Sequence, residues 1–259
     1  MQITTIQSKD NIKIKTLRGL IEQASLRKKQ QQSVIEGAHL LETYLANDLQ
    51  PQAVFTTETG LAHPENQRAL QETTASIYVL PEQLFQNISQ LGQSSAIMAI
   101  INLPAKKLEW DRQQDTLVLD AIQDAGNVGT LLRSAAAVGI RQILCTQGTA
   151  NIWSPKVLRA SMGAVFSLNI FENIDEQQIL DGFDIPIFAT SVTDAKSLYK
   201  TDLRQACVWI LGNEGQGVKP SLLAQSQAIT IPQPGGQESL NVAVAGSICL
   251  FEMMRQRLV

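Results

Sequence analysis

Histidine and cysteine are scarce in this chain of 259 residues, which limits the chemistry open to it. The two histidines, His39 and His63, both lie in the N-terminal part, away from the glycine-rich loops described below, so a Ser-His-Asp hydrolase is disfavoured. The three cysteines, Cys145, Cys207 and Cys249, stand apart in apolar runs and form no CxxC pair. Neither a zinc site nor a disulfide framework is therefore predicted. Buried, reduced thiols are expected instead, and these fit a cytoplasmic protein that uses no metal.

Several familiar sequence signals are also missing. The N-terminus has no apolar signal-like segment and no run is long enough to span a membrane, so a soluble protein with no membrane partner is expected. No GxGxxG fingerprint and no GxxxxGK(S/T) loop occurs. These absences exclude the common dinucleotide-binding motif and the phosphate-binding loop of nucleotide triphosphatases.

Positive charge is concentrated at the start of the sequence. The whole chain carries a net charge of −3, so its overall charge does not indicate a nucleic-acid binder. Residues 1–33, however, contain seven basic residues against Asp10 and Glu22, whereas residues 34–105 contain Arg68 against seven acidic residues. Such a basic arm is a local electrostatic site for phosphate groups. A solvated helix face is the alternative, and the charges alone do not separate the two.

The hydrophobic pattern indicates an α/β protein in two parts. The first part, residues 1–105, is predicted to hold a surface helix over residues 17–29 and then a small α/β fold with strands at 34–37, 53–56, 76–80 and 96–101. Residues 104–115 are polar and are predicted to form a linker. In the second part, residues 113–259, short apolar runs alternate with helical segments, which predicts a parallel sheet covered on both faces. The predicted strands here are 116–119, 142–145, 185–189, 207–211 and 228–231, and the predicted helices are 128–138, 154–162, 219–225 and 242–258.

Three polar, glycine-containing loops follow predicted strands of the second part. They are Asp124-Ala-Gly-Asn-Val-Gly129, Leu211-Gly-Asn-Glu-Gly-Gln-Gly-Val218 and the segment that runs from Ile231 to Asn241. Because parallel strands end at one edge of a sheet, loops of this kind form a pocket there. Ser239 and Asn241 suit a helix N-cap, and the unpaired N–H groups of a helix start favour a ligand with acceptor atoms. Glu214 disfavours a phosphate and suits a hydroxyl, an amine or a cation.

In this order, the three loops and Arg133 closely resemble the motifs of the SpoU/TrmH branch of the SPOUT family of RNA methyltransferases. The resemblance covers residues 116–259 and includes Ser154-Pro-Lys-Val-Leu-Arg-Ala-Ser-Met-Gly163. Ala125 departs from it, because many members have proline there, and this change is expected to loosen the turn. The resemblance implies an enzyme that transfers a methyl group from S-adenosylmethionine to a ribose 2′-hydroxyl of RNA. It also implies a C-terminal trefoil knot, a homodimer and a reaction without metal.

The resemblance also assigns roles to single residues. Arg133 is sometimes regarded as the general base in such enzymes, but a guanidinium with a pKa above ~12 is a poor proton acceptor. It is therefore interpreted as a clamp on the phosphate of the target nucleotide, and the proton acceptor is left open. The implied catalytic residues are Asn127, Arg133, Glu214, Ser239 and Asn241, and the implied cofactor-binding residues are Thr190, Leu211, Gly212, Gly217, Ile231 and Leu240.

The first part resembles the substrate-binding module of the same family, through Ile35-Glu-Gly-Ala-His-Leu-Leu41 and the basic helix before it. Such modules accompany rRNA-directed members more often than tRNA-directed ones, so 23S ribosomal RNA is the favoured substrate. A tRNA 2′-O-methyltransferase, a non-catalytic RNA-binding member of the fold and an unrelated nucleotide-binding α/β enzyme are the alternatives. The candidate RNA-binding residues are Lys13, Lys15, Arg18, Lys28, Lys29 and Arg159.

The last predicted helix, residues 242–258, is apolar on most of its faces. Such a helix must be buried nearly all round, and a subunit interface is one place to bury its second face. This pattern agrees with the homodimer that the resemblance implies. A central helix inside a monomer is the alternative.

Overall fold

A computed structural model describes residues 2–90, 96–104, 109–236 and 239–258 of the chain. Residues 105–108 of the predicted linker, residues 237–238 of the third loop and Val259 lie outside the described residues. The chain forms two compact units. The first contains Met1–Ala105 and Asn151–Phe166, and the second contains Lys106–Ala150 and Ser167–Val259.

The first unit is an α/β fold around a mixed sheet. Its strands are β1 (Ile3–Thr5), β2 (Gln32–Glu36), β3 (Ala53–Thr56), β4 (Ser76–Val79) and β5 (Ile97–Asn102), and its first six helices are α1 (Ile12–Glu22), α2 (Ala24–Gln30), α3 (Ala38–Ala46), α4 (Glu58–Ala62), α5 (Pro64–Glu72) and α6 (Glu82–Gln86). The strand order is β1-β4-β3-β5-β2, with β5 antiparallel to both of its neighbours. The four strands predicted for this part are confirmed, and β1 is an additional strand at the edge.

The second unit is built on a seven-stranded sheet in which all the paired strands are parallel. Its strands are β6 (Thr116–Leu119), β7 (Gln142–Thr146), β8 (Asn169–Ile174), β9 (Ile187–Thr190), β10 (Lys196–Ser197), β11 (Val208–Leu211) and β12 (Gln227–Thr230). Its helices are α7 (Ala125–Ala137), α9 (Glu176–Leu180), α10 (Pro220–Ala224) and α11 (Val242–Arg257), while α8 (Pro155–Ala160) belongs to the first unit. The predicted parallel α/β sheet is confirmed, and the trefoil knot stays a prediction.

The strand order brings the motif loops to one edge of this sheet. The order is β10-β12-β9-β11-β6-β7-β8, so β11 and β6 are neighbours although they are far apart in sequence. Leu211 at the end of β11 pairs with Leu119 at the end of β6. The first two motif loops therefore leave the sheet side by side, at the kind of reversal in strand order where α/β proteins bind ligands.

The predicted basic helix is in fact two helices. Gln23 takes an extended conformation, with φ −116° and ψ 110°, and separates α1 from α2. Asn11 begins α1 by accepting a hydrogen bond from the N–H of Lys13 at 2.9 Å. Leu17 and Leu20 on the inner face of α1 are fully buried in the core of the first unit. The lysines of α1 are therefore on the faces that the core leaves open.

The segment Asn151–Phe166 belongs to the first unit, which the sequence boundaries 1–105 and 113–259 did not anticipate. Ser33 on β2 donates a hydrogen bond from Oγ to the carbonyl of Trp153 at 2.6 Å. The rings of Tyr44 and Phe166 meet edge to face, with centroids 5.0 Å apart. These contacts join residues that are far apart in the sequence, so no local sequence pattern predicts them.

The helix α11 packs closely on α7 and on the end of β11. An added Cβ atom at Gly246 would lie 2.5 Å from Cδ2 of Leu131 and 2.4 Å from Cδ1 of Leu211, so a larger residue there would force these two side chains to move. Ser134 and Ser247 share a hydrogen bond of 2.8 Å across the same contact. One face of α11 is thus used inside the unit.

The last turn of α11 is tied to the start of the sheet. Arg257 donates from Nη2 to Asp115 Oδ1 at 3.0 Å, and from Nε to the carbonyl of Leu203 at 2.8 Å. The same Asp115 oxygen accepts the N–H of Cys207 at 2.8 Å. The helix end, β6 and β11 therefore share one half-buried carboxylate.

Two properties of the described part of the chain bear on function. None of its helices is both long enough and apolar enough to cross a bilayer. No three side chains of His, Cys, Asp or Glu within residues 2–90, 96–104, 109–236 and 239–258 come together in a way that suits a metal ion.

Candidate active site

The turn after β6 is anchored by the buried carboxylate of Asp120. Thr146 donates from Oγ1 to Asp120 Oδ1 at 2.8 Å, and the N–H of Lys219 donates to Oδ2 at 2.9 Å. Ala121 has a left-handed φ of +53°, and its carbonyl accepts a hydrogen bond from Asn213 Nδ2 at 2.9 Å. Because these contacts join the ends of β6 and β7 to the loop after β11, the first two motif loops are fixed relative to each other.

The loop after β11 closes on itself between Asn213 and Gly217. Each of these residues donates its N–H to the carbonyl of the other, at 3.0 and 2.9 Å, and Gly217 has a φ of +71°. A Cβ atom at Gly212 would lie 2.1 Å from both Gly217 C and Val218 N. The two glycines are thus required by the fold of the loop itself, and that fold directs Glu214 toward the loop after β6.

One chain of hydrogen bonds joins all three motif loops. Glu214 accepts hydrogen bonds from Asn127 Nδ2 at 3.0 Å and from the N–H groups of Gln123 and Asp124 at 3.3 and 3.2 Å. Asn127 in turn accepts a hydrogen bond from Asn241 Nδ2 at 3.0 Å. We refer to Glu214, Asn127 and Asn241 as the polar network. It brings together three of the five residues that the sequence implicated in catalysis.

The Glu214 carboxylate stays ionised within the polar network. Burial alone would raise the pKa of Glu214, but the hydrogen bonds from Asn127 and from the N–H groups of Gln123 and Asp124 hold the pKa below its ordinary value. A carboxylate that already accepts three hydrogen bonds is a poor proton acceptor at neutral pH. Glu214 therefore suits the orientation of Asn127 better than general base catalysis.

Asn241 has a second contact, because it is also the N-cap of α11. Its Oδ1 accepts hydrogen bonds from the N–H groups of Ala243 and Val244 at 2.9 and 3.2 Å. Both ends of the Asn241 amide are thus used, and the start of α11 is held against the loop after β6. Ser239, two residues earlier, is exposed and has no hydrogen-bond partner among the described residues.

A pocket open to solvent lies at the ends of β9 and β12. One of its lining residues, Leu240, directly precedes Asn241 of the polar network. The empty volume of the pocket is ≈ 310 Å³. Three of the predicted cofactor-binding residues, Thr190, Ile231 and Leu240, line it. The other lining residues are Ser191, Ile229, Gln233 and Ala245. Apolar walls with a few polar groups at the edge suit a flat apolar ring that carries polar substituents.

The other predicted cofactor-binding residues lie on the neighbouring strand and loop. Leu211 is the buried last residue of β11, and Gly212 and Gly217 shape the loop that follows. In the part of the chain that the structure describes, these three residues are not among those lining the pocket. They support the site through the backbone of the loop.

Arg133 lies apart from the polar network. It is six residues beyond Asn127 on α7, which places the two side chains about 120° apart around the helix axis. The Arg133 side chain is exposed, and it makes no hydrogen bond or ion pair with any described residue. The guanidinium is therefore free to meet a ligand, and it does not contact the other candidate catalytic residues.

All six candidate RNA-binding residues belong to the first unit. Two of them already have partners, because Lys13 Nζ lies 4.6 Å from the ring centroid of Tyr78 and Lys15 forms an ion pair with Asp10 at 3.4 Å. The other four candidates have no ion pair and no ring contact with any described residue. They are the half-buried Arg18 and the exposed Lys28, Lys29 and Arg159.

Arg27 belongs to the basic arm by sequence but is an internal residue. Its side chain is buried and donates from Nη1 to the carbonyls of Leu20 and Ile21 at 2.9 and 3.1 Å. Burial lowers the pKa of Arg27. This guanidinium holds α2 against α1, so it is not available to a phosphate.

Sequence reasoning missed Asp120 and Gln233 as parts of the site. Asp120 follows a predicted strand, where an aspartate usually signals a turn, and its contacts with Thr146 and Lys219 are tertiary. Gln233 stands between Pro232 and Pro234, which predicts only a loop. Nothing local distinguishes either residue from an ordinary turn residue.

Two families match this chain. Residues 115–251 match the SpoU rRNA Methylase family. Residues 11–99 match the MRM3-like substrate binding domain. The first match covers the polar network and the pocket, and the second covers β2, β3, β4 and the first half of β5.

Individual relatives extend over the whole chain. The 23S rRNA (guanosine(2553)-2'-O)-methyltransferase RlmP of Bacillus subtilis is 30% identical over 255 residues, which covers 96% of this chain and 98% of the relative. A solved RNA 2'-O ribose methyltransferase is 30% identical, with a TM-score of 0.85 over 99% of this chain and 100% of that one. An AdoMet-bound rRNA methyltransferase from Sinorhizobium meliloti is 23% identical and has the same fold, with a TM-score of 0.86 over 100% of both chains.

Proposed function

The chain belongs to the SpoU rRNA methylase family, and from that premise we propose that it methylates a ribose 2′-hydroxyl of 23S ribosomal RNA at the polar network. It is an RNA methyltransferase that uses S-adenosylmethionine as the methyl donor. The observation that carries the assignment to this site is that three loops from distant parts of the sequence meet in the Glu214–Asn127–Asn241 chain of hydrogen bonds.

The pocket lined by Thr190, Ile231 and Leu240 is the proposed site of the cofactor. Its apolar walls suit an adenine ring, and its hydroxyl groups suit the polar edges of a nucleoside. When bound, S-adenosylmethionine supplies the methyl group of its sulfonium. Loss of that group turns the sulfonium into a neutral thioether. Gly212 and Gly217 keep the loop after β11 compact, so its backbone can form the adjoining wall.

The polar network orients the reacting groups. Methyl transfer needs the attacking oxygen, the methyl carbon and the sulfur in line, and correct positioning can contribute about 7–11 kcal/mol to the lowering of the barrier. Glu214 fixes the side chain of Asn127, and Asn241 is fixed by the N-terminus of α11. The two rigid amides of Asn127 and Asn241, with the exposed Ser239 nearby in sequence, are therefore the proposed docking site of the ribose.

Arg133 is proposed to hold the RNA. Its side chain is exposed and unpaired in the described structure, and its two-pronged guanidinium matches the geometry of a phosphate. A clamp on the phosphate of the target nucleotide would bring its 2′-hydroxyl toward the polar network. Proton removal from that hydroxyl is not assigned to Arg133.

Ribosomal RNA of the large subunit is the proposed substrate. The Bacillus subtilis relative, which is named for 23S rRNA, matches nearly the full length of this chain. Of the four candidate RNA-binding residues without partners in the described residues, Arg18, Lys28 and Lys29 lie within the segment that matches a substrate binding domain. Arg159 lies outside that segment but in the same unit. A ribosomal substrate and three buried free cysteines fit action in the cytoplasm.

Mass mapping of nucleosides tests the substrate directly. Ribosomal RNA and tRNA from cells that lack this chain are compared with RNA from cells that make it. Loss of one 2′-O-methyl mark in 23S rRNA, restored by the wild-type gene and not by Arg133→Ala, is the expected result. Loss of a mark in tRNA alone would instead identify a tRNA methyltransferase, and an unchanged set of marks would favour a non-catalytic RNA-binding role.

We propose that the enzyme is a homodimer joined through α11. Val244, Phe251 and Leu258 are 49%, 44% and 75% exposed. They are spaced seven residues apart, so they form one apolar stripe along the helix. The opposite face of α11 already packs on α7. A second copy of the chain is the proposed cover for this stripe.

A further inference from the structure

Asp120 holds both ends of the loop that carries Glu214. Its N–H donates to the carbonyl of Leu211, just before the loop begins, at 2.8 Å. Its side-chain Oδ2 accepts a hydrogen bond from the N–H of Lys219, just after the loop ends, at 2.9 Å. The position of Glu214 against the turn after β6 therefore depends on this one residue.

The carboxylate of Asp120 is fully buried, and a buried negative charge is costly unless a cation lies close to it. The hydroxyl of Thr146 and the N–H of Lys219 donate hydrogen bonds to this carboxylate, but both are neutral donors. Among the described residues, the one cation that forms an ion pair with Asp120 is Lys219, whose Nζ lies 3.7 Å from Oδ1. Lys219 thus contacts Asp120 twice, through its backbone and through its charge.

The ammonium of Lys219 has a second acidic partner, because it lies 3.0 Å from Oε1 of Glu176. The Lys219 side chain is 38% exposed and that of Glu176 34%, so solvent screens this pair more than the pair with Asp120. Burial alone would lower the pKa of Lys219, but the hydrogen bond to Glu176 and the charges of Asp120 and Glu176 hold the pKa above its ordinary value. Lys219 is therefore a cation at neutral pH.

We propose that Lys219 is a positioning residue for methyl transfer. Its ammonium balances the buried charge of Asp120, so the carboxylate stays in place and holds the loop of Glu214. Without the ammonium, the unpaired carboxylate is expected to move toward water and to displace the N–H of Lys219, with the end of the loop. This inference rests on the proposed function, because the polar network is taken to be the site of the reaction.

Single-turnover methylation at saturating RNA and cofactor tests the proposal, at a temperature where circular dichroism shows each variant to be folded. Lys219→Met is expected to lower the rate constant by about 100-fold, the effect of a small displacement near reacting groups. Lys219→Arg keeps the charge and is expected to retain most of the rate. Affinity for S-adenosylhomocysteine, measured by calorimetry, should be nearly unchanged in both variants, because Lys219 does not line the pocket.

A double variant separates the charge of Lys219 from its packing. Asp120→Asn combined with Lys219→Met leaves no buried charge, and the asparagine can still accept the N–H of residue 219 and donate to Thr146. Its rate is expected to lie within about tenfold of wild type, because the loop keeps its two contacts. This variant also tests the proposal if Lys219→Met alone does not fold. The matched control is Glu176→Gln, which removes only the exposed acidic partner of Lys219 and should keep the wild-type rate.

Three results would overturn the proposal and leave the proposed function intact. They are a folded Lys219→Met variant with the wild-type rate, a double variant about 100-fold slower than wild type, and a loss of rate in Glu176→Gln as large as that in Lys219→Met. The last result would assign the effect to the exposed ion pair. Failure of wild type to methylate 23S rRNA would overturn the proposed function and this inference together.

Discussion

Asn241 donates a hydrogen bond from Nδ2 to Oδ1 of Asn127 at 3.0 Å, across 114 positions of sequence. The contact is possible because Asn241 is already fixed as the N-cap of α11, while Asn127 is fixed from its other side by Glu214. Each asparagine is thus held at two points. An amide held in this way cannot rotate without the loss of at least one hydrogen bond.

Glu214→Gln is expected to lower the rate of methylation by about 100-fold, the size of effect that a small misplacement of reacting groups produces. The glutamine amide can accept on one atom only, so it cannot satisfy Asn127, Gln123 and Asp124 together. Single-turnover methylation of 23S rRNA fragments measures the rate, and calorimetry with S-adenosylhomocysteine should show nearly unchanged affinity. Glu65→Gln, at an exposed site in the first unit, is the control. A full rate in Glu214→Gln would exclude this carboxylate from the site.

Arg133→Ala is expected to lower methylation by orders of magnitude, with cofactor affinity intact and stability changed by no more than about 0.5 kcal/mol. The side chain is exposed and unpaired within the described structure, so its removal breaks no internal contact. Arg133→Lys should recover little activity, because a point charge does not reproduce the two-pronged contact with phosphate. Arg68→Ala, at another exposed arginine, is the control. An alanine variant that kept most of its activity would end the proposed role of Arg133.

Phe251→Glu is expected to give a folded monomer at micromolar concentration, because it puts a charge at the centre of the apolar stripe on α11. Light scattering measures the mass, and circular dichroism checks that the unit remains folded. Tyr199→Glu is the control, since Tyr199 is 58% exposed but lies outside α11. A monomeric wild type, or a dimer that survives Phe251→Glu, would remove the stripe from consideration as the interface.

Lys28→Ala combined with Lys29→Ala is expected to weaken RNA binding and to reduce the slope of log affinity against log salt concentration by about 0.7–0.9 for each phosphate that the variant no longer neutralises. Lys15→Ala should have a smaller effect, because Lys15 is already paired with Asp10. Binding to an rRNA fragment over a range of salt concentrations provides the slopes, with Lys200→Ala in the second unit as the control. Equal slopes in all variants would show that the basic arm is a solvated helix face that binds no phosphate.

Gly212→Ala is expected to destabilise the second unit more than Gly217→Ala does. A Cβ atom at position 212 collides with backbone atoms at 2.1 Å, so the loop must move, whereas position 217 has no atom within 4 Å and only its positive φ opposes a side chain. The strain at Gly217 costs about 1–2 kcal/mol. Urea unfolding of both variants gives the comparison. A larger loss in Gly217→Ala would contradict the close contact at Gly212.

Patterns that repeat along the chain were readable from the sequence. The run 116–119 is apolar at each position after Thr116 because β6 is buried on both faces, and it was predicted without error. Asn241 was recognised as a helix start because capping uses a local side chain. Such features depend on neighbours within a few residues.

Features that depend on distant contacts were not readable. The strand β8 was missed because it lies at the sheet edge, with polar residues at three of its six positions and a positive φ at Asn173. Arg27 and Lys28 are both basic residues of α2, yet one is buried and the other exposed, and a count of charges does not separate them. The residues of the polar network were assigned from a family resemblance. The contact between Asn127 and Asn241 itself depends on the strand order, which no local pattern of the sequence gives.

The contact between Arg257 and Asp115 joins residues 142 positions apart. At about 5–20 residues per second, a ribosome makes Arg257 on the order of ten seconds after Asp115. During that interval β6 exists without α11, which covers the ends of α7 and β11. All five strands of the first unit, by contrast, have been made by Asn102 and can pair early. Synthesis from N- to C-terminus therefore delivers the substrate-binding sheet first and the methylating site last.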